Sequence, residues 1–189
     1  MSVDKLDRRV RRTRTLLTQG LIQLMEEKDI RDISVRELSD LVDINRGTFY
    51  LHYKDIYDLL NQLEDEMFLE FNEIMSKNMP NDFQLSALQS ILEDIFLFLE
   101  KHREMARVMI GPHGDLAFVN RLKNLVKEHM DIIAKLQHST REYAYTEAFI
   151  ISGCIGVIEI WLNHPTPQSP KEMAAYCSDF LIKGLTISA

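Results

Sequence analysis

Residues 34–53, Ser-Val-Arg-Glu-Leu-Ser-Asp-Leu-Val-Asp-Ile-Asn-Arg-Gly-Thr-Phe-Tyr-Leu-His-Tyr, constrain the fold most, because they specify two short helices around a tight turn. Ser34 with Glu37 three residues later forms a capping box, which starts a helix. Val35, Leu38, Leu41 and Val42 supply its apolar stripe. Asp43 suits a left-handed turn position that few other non-glycine residues tolerate. Ile44 plugs the core, and Asn45 caps a second helix running to about Tyr53. The first turn of that helix, Arg46-Gly47-Thr48, has little to bury. An exposed helix end of this kind suits a DNA groove, as in a helix-turn-helix.

The string Ile44-Asn-Arg-Gly-Thr-Phe-Tyr-Leu-His-Tyr-Lys-Asp-Ile-Tyr-Asp-Leu-Leu60 resembles the signature of the TetR family of bacterial transcriptional regulators. Its elements are an apolar residue, two variable residues, Gly-Thr-apolar-Tyr, His-aromatic and a Leu-Leu helix. Upstream, Ile33-Ser-Val-Arg-Glu-Leu38 is similar to the opening of the family's second helix. The resemblance covers about a third of the chain. Two positions depart from it. Asp43 stands at a turn position that is often Gly. Ile56 stands where a cation commonly opens the fourth helix and meets a phosphate, which leaves that contact absent or passed to Lys54.

The resemblance implies an all-α fold in two parts, residues 1–54 as a three-helix DNA-binding domain and 55–189 as a helical effector-binding and dimerisation domain. Arg46, Gly47 and Tyr50 then occupy base-facing positions, and Arg46 has the reach for O6 and N7 of a guanine. Arg36, Thr48 and His52 fall where the family tends to touch phosphates, and Phe49 alternates inward to the core. Packing between helices is the alternative for Tyr50 and His52.

Charge supports the division. Of a net −7, residues 1–60 contribute nothing, with 11 Lys+Arg and 11 Asp+Glu. The acidic excess lies in the remainder, and only the field near the phosphates has to be positive. Arg8, Arg9, Arg11, Arg12 and Arg14 make a basic tip on the first helix. Beside a helix-turn-helix, they read as phosphate contacts instead of a solvated helix end.

The rest of the 189 residues is helical by periodicity. Leu17, Leu21, Leu24 and Met25 place a first helix over about 8–28, with Gly20 costing about 1 kcal/mol unless close packing requires it. Asp55 caps a fourth helix to about Lys77, and Asn78–Asp82 is a linker broken by Pro80. A fifth helix carries Leu85 to Leu99. A short one over Glu104–Ile110 stops at Gly111-Pro112, and a seventh runs from Asp115 to Leu136. Thr140–Asn163 follows. Ser169-Pro170-Lys171-Glu172 then opens a last helix with a cap, Pro at the first position and Glu at the third.

The eighth helix is apolar on most faces, so it must be covered on all sides. Gly153 and Gly156 leave a flat strip for close approach. Gly153-Cys-Ile-Gly-Val-Ile-Glu-Ile-Trp-Leu162 also resembles the C-terminal region of a Firmicute-type TetR subgroup, whose last two helices form a four-helix bundle across a dimer axis. That implies a homodimer interface through Gly153, Gly156, Ile160, Cys177, Phe180 and Leu181, burial within one chain being the alternative. The resemblance further implies a small-molecule effector site, for which Phe96, Met105, Met109, Phe118, Met130 and Trp161 are the candidates. Nine Met suit an adaptable pocket.

Other classes find less support. No phosphate loop, His-Glu-x-x-His pair or nucleophile elbow is present, so the chain does not read as an enzyme and no cofactor is expected. His113 in Pro112-His-Gly-Asp115 reads as a solvated loop histidine. Six His and two Cys lack shared ligand spacing, which makes a metal-responsive regulator the weaker alternative. A helical adaptor that does not bind DNA is the other. Cys154 and Cys177 sit in apolar helical contexts, as buried, reduced thiols do. The N-terminus lacks a signal-peptide pattern, and the run Phe149–Leu162, interrupted by Glu159, reads as too short for a bilayer. These features imply a cytoplasmic protein, and the resemblance implies a ligand-responsive repressor on double-stranded operator DNA.

Overall fold

The computed structural model describes residues 3–77, 85–136, 143–165 and 167–186. Among them every regular element is helical: α1 (Val3–Met25), a 3-10 turn (Ile30–Asp32), α2 (Val35–Leu41), α3 (Arg46–Tyr50), α4 (Ile56–Lys77), α5 (Leu85–Lys101), α6 (Arg103–Ile110), α7 (Leu116–Leu136), α8 (Tyr143–Asn163) and α9 (Pro170–Thr186). The all-α architecture follows the periodicity. The Asn78–Asp82 linker and the Thr140 start of the eighth helix lie outside the described residues.

Helix starts follow local hydrogen bonds. Ser34 Oγ accepts from the Glu37 N–H at 3.1 Å, and Asn45 Oδ1 accepts from the Gly47 N–H at 2.7 Å. At α4 the arrangement is reciprocal: Asp55 Oδ1 accepts from the Asp58 N–H, and Asp58 Oδ2 accepts from the Lys54 N–H, each at 2.8 Å. Ser169 and Glu172 exchange bonds in the same way at α9. These contacts satisfy N–H groups that a helix cannot pair internally. They also hold the Asp58 and Glu172 carboxyls below the ordinary carboxylate range.

The chain forms two compact units, Met1–Met67 with Val108–Asp115, and Phe68–Arg107 with Leu116–Ala189. The first is built on Leu17, Leu21, Leu38, Phe49 and Leu59, all without solvent exposure. Gly20 answers its own cost here: an added Cβ would lie 2.4 Å from Val42 Cγ1 and 2.8 Å from Leu38 Cδ1. Bare backbone at Gly20 is what lets α1 and α2 approach.

In the second unit α5 packs along α9 and α7 beside α8. Phe96 meets Trp161 edge to face, with ring centroids 5.1 Å apart. Arg103, at the start of α6, closes the far end of α8. Its Nη2 donates to the carbonyls of Trp161 and Leu162 at 2.7 and 2.8 Å, and its guanidinium lies 4.8 Å from the Trp161 ring centroid. A cation on unpaired C-terminal carbonyls is the favourable end of the helix dipole.

Gly20→Ala gains about 1 kcal/mol of helix propensity, but it crowds two core side chains, which costs about 1–3 kcal/mol. Thermal unfolding should show a lowered Tm. A raised Tm would mean that the α1–α2 contact yields freely.

Candidate functional site

Two surfaces stand exposed among the described residues. The first surrounds α3. Asp43 holds φ at 53°, the sole positive φ at a non-glycine residue among those described. Its carboxylate side chain makes this left-handed turn tolerable. The Ile44 N–H then donates to the Ser39 carbonyl at 2.9 Å, which closes the turn. Behind α3, Phe49 is fully buried against Tyr53, with ring centroids 5.7 Å apart. In front, Arg46 and Gly47 are exposed, Thr48 and His52 are half-buried, and Tyr50 is 58% exposed.

The helix ends at Tyr50, a turn earlier than the sequence suggested. The Leu51 N–H bonds to the Thr48 carbonyl in 3-10 fashion, and both His52 and Tyr53 donate back to Phe49. Arg36 lies on the exposed face of α2, with Asp40 at 3.6 Å. A surface pair of this kind contributes about 0.3–0.5 kcal/mol, so Arg36 is available to a phosphate at little cost. Lys54 is exposed, and its backbone N–H serves the α4 cap.

Two aspects of this surface differ from the sequence reading. Arg14 is not free for phosphate: its Nε donates to Tyr53 Oη at 3.1 Å and its Nη2 to Glu66 at 2.6 Å. Those bonds raise its pKa, that from Tyr53 foremost. Leu51, 81% exposed beside Tyr50, was missed. With Phe49 committed inward and the helix ending at Tyr50, an apolar residue at this corner has no core to enter.

The second surface lies on α8 and α9. Tyr145, Phe149, Ile160, Tyr176 and Phe180 are each more than 60% exposed. A Cβ added at Gly153 or Gly156 would touch nothing within 4 Å. Cys177, by contrast, is buried within the single chain, and Leu181 is half-buried. Burial pushes the Cys154 thiol up to about 11, with a smaller contribution from Cys177, whose own pKa burial raises. Such thiols are poor nucleophiles. Tyr145–Asn163 is long and apolar enough by length and composition to cross a membrane, and 17% of it is buried. The expectation of too short a run is corrected: the apolar stretch extends a turn N-terminal of Phe149.

The proposed effector residues separate. Phe96 and Trp161 are in contact, and Met105 and Phe118 are buried in the same unit. Met109 is buried in the first unit, with Val108–Asp115, and the Met130 side chain lies outside the described residues. An open cavity of about 470 Å³ in the second unit is lined by another set: Phe68, Ala117, Asn120, Arg121, Asn124, Leu125 and Glu128. The Arg121 guanidinium lies 3.8 Å from the Phe68 ring centroid there. Among the described residues no group of His, Cys, Asp and Glu could hold a metal. His113 is not simply solvated, since its Nδ1 lies 2.9 Å from Asp29 Oδ1.

A capped, outward-facing short helix set behind a tight turn in an all-α chain defines a helix-turn-helix protein. The TetR-type family model described as a transcriptional regulator C-terminal region matches residues 86–183. The chain belongs to the TetR family of transcriptional regulators. It is 30% identical over 168 residues to YxbF, an uncharacterized HTH-type transcriptional regulator of Bacillus subtilis; the match covers 82% of this chain and 41% of that protein. The chain thus spans about two fifths of that relative's length. Its fold is similar to the fatty acid degradation regulator FadR of Bacillus halodurans, with a TM-score of 0.68, 15% identity, and 91% and 95% of the two chains covered. FadR of Bacillus subtilis, solved in complex with stearoyl-CoA, gives a TM-score of 0.64 at 16% identity, with 90% and 98% covered.

Proposed function

We propose that this protein is a homodimeric, cytoplasmic repressor that binds double-stranded operator DNA through α3 and is released by a small-molecule effector. Residues 1–54 form its DNA-binding domain, and 55–189 its effector-binding and dimerisation domain. The observation that carries the DNA reading is the division of α3 into a fully buried Phe49 and an exposed Arg46, Gly47 and Tyr50. Arg46 reads a guanine edge, Tyr50 and Leu51 offer apolar contact to a thymine methyl, and Arg36, Thr48, His52 and Lys54 meet phosphates. Two copies of α3 enter successive major grooves about 34–36 Å apart.

Operator binding by a duplex selected from random DNA tests this directly. Arg46→Ala should cost about 1–3 kcal/mol at the selected site and relax one base preference. Arg36→Ala should weaken all sequences about equally and flatten the salt dependence. Wild-type binding by both variants across salt concentrations would falsify the assignment.

The partner for α8 and α9 is a second copy. A two-fold interface is self-complementary, so one apolar face per chain covers two. Gly153 and Gly156 supply the close approach, and Ile160 and Phe180 the flanking apolar surface. The protein should sediment as a dimer at micromolar concentration. Gly156→Arg should yield monomers, because it buries an unpaired charge in the dimer, while a Cβ at this position meets nothing within 4 Å in the single chain. A stable wild-type monomer, or partition of the chain into phosphatidylcholine vesicles, would overturn the dimer.

Effector binding within the second unit would shift the dimer between two geometries. The residues we assign to it are Phe96 and Trp161, which are in contact, with Met105 and Phe118 buried in the same unit. Likeness to FadR, solved with stearoyl-CoA, supports an organic ligand with an apolar part. At a hundred times its Kd, a ligand should stabilise the fold by about 2.7 kcal/mol. It should also weaken operator binding by the factor with which DNA weakens ligand binding. Thermal-shift screening followed by operator titration checks both. Ligands that stabilise without changing DNA affinity would leave a constitutive DNA-binding protein.

A further inference from the structure

The cavity beside Phe68 shares no residue with the effector site proposed above. Its volume of about 470 Å³ falls in the range of small-molecule sites. Phe68 comes from α4 and the other lining residues from α7, all within the second unit. Leu125 is buried and Phe68 half-buried, and together they supply an apolar part of the wall. Asn120, Asn124 and Glu128 are polar lining residues spaced four apart along α7. Residues at that spacing stand on one helix face, about 6 Å apart. Among the described residues, none of these three side chains has a hydrogen-bond or ion-pair partner.

Arg121 determines the shape of what can bind. Its guanidinium lies over the Phe68 ring, 3.8 Å from the centroid. A guanidinium makes its hydrogen bonds from its edges, so the face away from the ring stays open to a flat ligand. Phe68 and Arg121 thus form two layers on which a third planar layer can stack. Charge narrows the choice further. Arg121 and Glu128 cancel within the lining, and the acidic excess of the chain lies outside residues 1–60. That field favours a neutral ligand over a phosphorylated one. Each Asn amide both donates and accepts, whereas the Glu128 carboxylate only accepts. A planar, uncharged ring system with an amino group next to an acceptor nitrogen answers this set.

We infer that the groove between Phe68 and α7 is a binding site for a 6-aminopurine nucleoside. The base stacks on Arg121, which Phe68 holds flat. Asn124 reads the base edge as asparagine reads adenine, its Oδ1 accepting from N6–H and its Nδ2 donating to N7. Glu128, one turn further on, accepts from the second N6–H. Asn120, one turn back, meets a ribose hydroxyl. The site involves no contact with DNA, so it stands or falls apart from the operator reading.

Isothermal titration of the full-length protein with adenosine, inosine and adenosine monophosphate, each to millimolar concentration, tests the site. Adenosine should bind saturably. Inosine carries a keto oxygen in place of the amino group, which sets acceptor against acceptor at Asn124 and Glu128. It should bind about tenfold more weakly or worse. The monophosphate should also bind more weakly than adenosine. Arg121→Ala removes the stacking face and should weaken adenosine about tenfold. Asn124→Ala should weaken it by a similar factor, while Glu128→Gln, which keeps an acceptor, should retain it. All three positions are exposed, and equal melting temperatures of the unliganded proteins will separate a lost site from a lost fold. The inference is overturned if adenosine shows no saturable binding or if inosine binds as tightly. It is equally overturned if Arg121→Ala and Asn124→Ala both bind adenosine like wild type, since the nucleoside would then sit elsewhere.

Discussion

Burial of Phe49 is the constraint on which the exposed surface of α3 depends. A helix of five residues has no stability of its own, because nucleation costs more than one turn of hydrogen bonds returns. What fixes α3 is the Asn45 cap at its start and one ring driven fully into the core beneath it. The ring sets the rotation of the helix about its axis. With Phe49 inward, Arg46 and Tyr50 have nowhere to point but out.

The same core recruits polar groups to brace it. Tyr53 packs on Phe49 and keeps its hydroxyl at the edge, where Arg14 donates to it and also holds Glu66. One arginine of the basic tip therefore joins α1 to α4 instead of serving phosphate. Part of the charge in the tip is thus committed to building the head. The net charge of residues 1–60 says nothing of that commitment.

What the sequence made legible is local. Capping at Ser34, Asn45, Asp55 and Ser169 was readable because each cap reaches two or three residues along the chain. Gly20 was flagged by its cost, and its reason appeared only with Leu38 and Val42 beside it. The contacts that escaped are long-range: Arg14 to Glu66 across 52 positions, Arg103 to Trp161 across 58, His113 to Asp29 across 84. No periodicity encodes such pairs. The effector residues were named by type, and aromatic and Met side chains at helical spacing fill a core as readily as they line a pocket. Hence the described cavity beside Phe68 and Arg121 has a lining that residue type did not suggest.

Helix α8 shows why composition alone cannot choose a helix's surroundings. By length and apolar content it suits a bilayer, yet its details suit a protein partner better. Glu147 is nearly fully buried, with Lys127 at 3.3 Å. Glu159 is exposed on the same helix, and Gly153 and Gly156 leave bare backbone where a bilayer would gain nothing from it. Small residues reward close approach by a rigid neighbour with a matching surface. Uncovered apolar area in water costs about 25 cal/mol per Å², so rings such as Phe149 and Phe180 call for that neighbour. In the proposed dimer the neighbour is the same helix pair from a second copy. One self-complementary face then serves both chains, and no further apolar surface has to be supplied.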